Sequence, residues 1–80
     1  MRLPRDLDPR DLIRALGIYG YRVTRQSGSH VRITTQQDGE HHETIPQHGP
    51  IKIGTLQAIL ASVARHHGMT VQQLLDRLRL

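Results

Sequence analysis

The sequence predicts a small α+β domain, with helices packed on one face of a three-stranded antiparallel sheet. Apolar residues at helical spacing bracket the chain at both ends. Between them, residues 21–46 hold three short alternating runs separated by turn signals. Strands grouped together, with helices before and after, put the helices on one sheet face.

Each element can be placed in order. Residues 1–8 read as a short tail to a single domain spanning residues 1–80. Asp8 offers an N-cap, Pro9 suits the first helical position, and Asp11 puts negative charge in the first turn. Leu12, Ile13, Leu16 and Tyr19 form one stripe, and Gly20 reads as the C-cap, so the first helix is expected over residues 9–19. Residues 21–25 and 29–35 read as strands joined by a Ser27-Gly28 turn, and 41–46 as a third strand that Pro46 ends. Leu56, Ile59, Leu60 and Val63 mark a second helix closed by Gly68, with His66 and His67 as helix-end residues favoured by the helix dipole. Thr70 and Gln73 make a capping box for a short last helix over residues 71–78.

Composition narrows the function. The chain has 80 residues, one small domain's worth, and neither Phe nor Trp, so Leu, Ile and Val must supply the core. No cysteine is present, which excludes disulfides, thiolate catalysis and Cys-based zinc sites, and suits a cytoplasmic protein. The charged start carries no targeting signal, and no apolar run approaches a membrane span. A net charge of +4 favours anionic partners, nucleic acid first.

Strand alternation divides the sheet. Val23, Val31, Ile33 and Ile45 are expected to face the helices. Arg22, Thr24, His30, Arg32, Thr34, His42 and Thr44 then fall on an open, basic face. Keeping Ile33 and Ile45 together requires an odd-numbered connection centred near Asp38, or a bulge; a two-residue Asp38-Gly39 turn would separate them. In the odd register Thr34 opposes His42, His30 opposes Pro46, and His48 lies near His30.

The chemistry available on that face is acid–base. An imidazole titrates near neutral pH, so His30 can take a proton from a ribose 2′-OH or give one to a leaving oxygen. Arg22, Arg25 and Arg32 can hold a phosphate, and Gly28 can bring backbone N–H groups close to it. By spacing alone an ordinary turn histidine fits His30 better, since no second catalytic group is fixed. His41, His42 and His48 match no established metal-ligand spacing, so neither metal nor cofactor is expected.

Three blocks in order give a more specific reading: LIRALGIYGYRVTRQSGSH, with its R-x-x-G-S-H; TIPQH, a strand ending in Pro-x-His; and KIGTLQAIL, opening the second helix. Over residues 12–75 the chain resembles the HicA (YcfA-like) toxin family. The resemblance implies a double-stranded-RNA-binding-domain-like α-β-β-β-α fold, here with an extra short C-terminal helix. It implies an mRNA interferase, an endoribonuclease that needs no metal and uses the histidine of Gly-Ser-His, which is His30; Gly28 and Ser29 belong to the same RNA-binding motif. His48 matches the Pro-x-His position and is a candidate auxiliary group. A HicB-like antitoxin is the implied protein partner, and RNA the substrate. Two segments depart from the pattern: QQDGEHHE in the hairpin, and VARHHGMTVQQLL after the second helix.

Two other readings fit the residues. A non-catalytic RNA-binding module would keep the fold and retain RNA uncut. A DNA-binding adaptor would use residues 70–78 as the last helix of a helix-turn-helix, although Asp76 beside Arg77 leaves no clear base-reading face.

Overall fold

The computed structural model describes residues 2–80. Helix α1 (Pro9–Leu16) leads through a 3₁₀ turn (Gly17–Tyr19) into strands β1 (Arg22–Ser27), β2 (His30–Thr35) and β3 (His41–Pro46). Helices α2 (Ile53–His66) and α3 (Val71–Leu78) follow. The strands form one antiparallel sheet in the order β1-β2-β3. This is the expected α+β arrangement.

The local signals act as their chemistry dictates. Asp8 accepts the Arg10 N–H at 2.9 Å, and Pro9 follows at the first helical position. Thr70 and Gln73 cap α3 reciprocally, at 3.1 Å and 2.9 Å. The first helix stops at Leu16, earlier than its stripe suggests, and its last turn tightens to 3₁₀. Gly20 ends that turn at φ 82°, and a Cβ there would lie 2.9 Å from Thr35 Oγ1. The buried Thr35 hydroxyl donates to the Tyr19 carbonyl at 2.6 Å, joining the turn to β2.

Leu12 and Leu16 of α1, Val31, Ile33 and Ile45 of the sheet, and Leu56, Leu60 and Val63 of α2 form one buried core with Leu74 of α3. In the segment expected as a tail, Leu3 and Leu7 pack against that core and Leu7 pairs with Ile51. Val23 is a correction. It opposes Ile33, yet remains 53% exposed. Every residue of β1 is exposed, because the core ends at β2 and the edge strand runs past it.

His66 and His67 close α2 as expected, in its last turn and at its C-cap, and they do more than meet the helix dipole. His66 and His67 reach across to the β2–β3 hairpin. His66 Nε2 lies 3.0 Å from the carbonyl oxygens of both Gln37 and Gly39, so its N–H donates to the turn. The His67 side chain is only 1% exposed and bonds Asp38 at 3.0 Å. Asp38 can only accept, so His67 donates from Nδ1, and its Nε2 meets the Tyr21 hydroxyl at 3.1 Å. The Tyr21 oxygen meets His41 Nδ1 at 2.7 Å, and His41 stacks on His66 with ring centroids 4.4 Å apart. His41 Nε2 faces Ser62 at 3.1 Å and Glu43 at 3.3 Å. The hairpin tip is thereby fastened to the C-terminal turn of α2.

This cluster makes the fold acid-sensitive. Burial, then the nearby His66 and His67, hold His41 below the ordinary imidazole value of 6.5. The folded chain therefore binds its proton less readily than the unfolded chain. Its contribution to stability is complete above pH 6.5 and falls away as pH drops from there through the folded value. Glu43, raised by burial, acts in the opposite sense toward the carboxylate range. Thermal melting is expected to drop between pH 7.5 and 5.5, and His41→Gln to flatten that slope; an equal slope in both proteins would remove His41 as the cause.

Candidate functional site

The β2–β3 register is the one the alternation required. Thr35 opposes His41 across a five-residue connection, residues 36–40, centred on Asp38. Ile33 and Ile45 are both buried, Thr34 opposes His42, and His30 opposes Pro46. His41 and His42 consequently point to opposite faces, so this pair cannot grip one metal ion.

The open face is built in three rows. The first crosses Ser27, His30 and Pro46, the second Arg25, Arg32 and Thr44, and the third Arg22, Thr34 and His42. His30 opens β2 directly after the Gly28-Ser29 turn, where Gly28 takes φ 57°. Nothing lies within 4 Å of a Cβ built at Gly28, so the backbone angle, not crowding, favours glycine there. His30 is exposed and no other side chain hydrogen-bonds to it among the described residues.

Arg25 reaches this face because of a bulge. Simple alternation from Arg22 and Thr24 sends Arg25 toward the helices. The β1–β2 register shifts between Val23 and Arg25, and Arg25 then opposes Arg32. Thr24 stays on the open face too, its hydroxyl 2.8 Å from that of Thr34. Two arginines directly opposite each other repel. Among the described residues no carboxylate lies within 4.0 Å of Arg22, Arg25 or Arg32; the arginines so paired are Arg10 and Arg14 of α1. An anion between Arg25 and Arg32 would relieve that repulsion.

His48 lies just beyond β3. The Gln47 N–H donates to the Ser29 carbonyl at 2.6 Å, continuing the pairing past His30–Pro46. His48 follows one residue later, in the bend that leaves the strand. The arrangement thus gathers His30, Gly28 and Ser29 at one end of the face, with Arg32 and Arg25 one row away and Arg22 two. Sequence reasoning put Thr24, Thr34 and His42 on this face but missed the hydrogen bonds that tie them together. Its signal was the Thr34–His42 register itself.

Residues 9–69 match the family model described as the HicA toxin of bacterial toxin–antitoxin systems. No curated protein and no solved structure matches the chain. No helix among the described residues is long and apolar enough to cross a membrane.

Proposed function

Taking as premise that the chain belongs to the HicA toxin family of bacterial toxin–antitoxin systems, we propose that it is an endoribonuclease of the mRNA-interferase type. The observation that carries the reading is the exposed His30 beside an opposed, carboxylate-free Arg25–Arg32 pair. Such a face takes a phosphate next to an imidazole.

The reaction is a transesterification. The ribose 2′-oxygen attacks the adjacent phosphorus and the bond to the departing 5′-oxygen breaks. One proton leaves the 2′-OH and one must reach the leaving oxygen. His30 handles one of these transfers, and Arg32 with Arg25 holds the non-bridging oxygens, where charge accumulates. Gly28 and Ser29 bring backbone close to the phosphate, Arg22 binds further along the strand, and His48 is the nearest candidate for the second proton. A HicB-like antitoxin, acidic where it meets these arginines, would cover the face.

The test is end chemistry. Purified chain incubated with RNA in EDTA is expected to leave 2′,3′-cyclic phosphate and 5′-hydroxyl ends. A 2′-deoxy substitution at the cleaved nucleotide should block the cut. Cleavage that persists through that substitution would exclude the mechanism, and RNA bound but never cut would support the non-catalytic binding module.

A further inference from the structure

His42 has both ring nitrogens occupied. Nε2 lies 3.0 Å from Glu40, and Nδ1 lies 2.7 Å from the Thr34 hydroxyl. Glu40 is kept ionised by its hydrogen bonds to Gln36 and then His42, so it accepts and His42 donates from Nε2. In the neutral ring Nδ1 accepts from Thr34, whose oxygen is left facing the Thr24 hydroxyl at 2.8 Å. A ring tied at both nitrogens is poorly placed to move protons. What it offers to solvent is a flat face in a fixed orientation, 37% exposed.

That face has no competitor nearby. The chain lacks Phe and Trp, and both tyrosines lie away from the open face: Tyr21 is buried, and Tyr19 packs against His67. His30 and His42 are the aromatic rings of the three rows. Single-stranded RNA is bound by stacking unpaired bases on such rings and on guanidinium planes. Beside Thr34, on the side away from His42, lies an open cleft of ≈ 550 Å³ lined by Arg22, Thr24, Thr34 and Gln37. Thr34 lies four steps along β2 from His30, a span of ~14 Å at ~3.4 Å per residue. A stacked nucleic-acid strand advances ~3.4 Å per nucleotide, so this is about four nucleotides at most.

We propose that the Glu40–His42–Thr34–Thr24 row and the adjoining cleft form a nucleotide-binding subsite for single-stranded RNA, a few nucleotides from the scissile bond. One base stacks on the His42 ring, and Arg22 takes a backbone phosphate at the cleft. This subsite rests on the ribonuclease reading, and it would make His42 a determinant of which RNA is held.

The experiment is a cycle between protein and RNA. Binding of a 2′-O-methyl hexanucleotide, which lacks the attacking hydroxyl, is measured with wild type, His42→Ala and His42→Phe. An abasic residue is walked along the oligonucleotide. His42→Ala is expected to weaken binding about 5- to 150-fold, the worth of one stacked base. His42→Phe, which keeps a ring, should recover most of it. At one abasic position the His42→Ala penalty should vanish. Equal losses for Ala and Phe, or no position where the penalty changes, would overturn the subsite. The ribonuclease reading would survive that result if wild type cleaves natural RNA; wild type that neither binds nor cleaves RNA would overturn both.

Discussion

Replacing His30 with alanine is expected to lower RNA cleavage by about 10²- to 10⁴-fold, the usual worth of a single general acid or base. The fold should not notice. His30 is exposed, and no side chain hydrogen-bonds to it among the described residues. A surface substitution of that kind stays within about ±0.5 kcal/mol. RNA binding should also persist, since Arg22, Arg25 and Arg32 are untouched. The measurement is a cleavage time course in EDTA for both proteins, with thermal melting alongside. Undiminished cleavage would remove His30 from the chemistry. Lost cleavage with lost melting stability would show a structural role instead.

Tyr21→Phe should produce the second large effect, on stability. The substitution keeps the ring and opens no cavity. It removes one hydroxyl that meets His41 Nδ1 at 2.7 Å and His67 Nε2 at 3.1 Å. With the His67 side chain 1% exposed, water cannot readily replace that partner. A buried polar group left unsatisfied costs about 1–3 kcal/mol. In a domain of this size each kcal/mol lowers the melting temperature by roughly 4–8 °C. Burial, together with the Glu43 charge, pushes the phenol above its ordinary range, so Tyr21 keeps its proton throughout the accessible pH window. An unchanged melting temperature would mean that the hairpin tip is held without this network.

The same network joins two segments that lie apart in the sequence. QQDGEHHE supplies Gln37, Asp38, Gly39 and His41, and VARHHG supplies His66 and His67. They touch one another across the molecule. The hairpin and the helix end are halves of one contact.

The sequence by itself determined the elements and the sheet register. Ile33 and Ile45 had to share the buried face, which called for an odd-numbered connection around Asp38 or a bulge, and the structure takes the odd connection. It also placed His30 at the start of β2 and on the open side. Tertiary structure alone decided three things. The bulge before Arg25 turned that arginine toward Arg32. The limit of the core left Val23 exposed on the edge strand. The fold brought His66 and His67 onto a hairpin 27–29 residues away in sequence. The physical reason is range. Apolar periodicity records which side of an element meets the core, because burial is non-directional and repeats with the backbone. A polar side chain's partner is fixed by direction and distance, and those exist only once the chain has closed on itself.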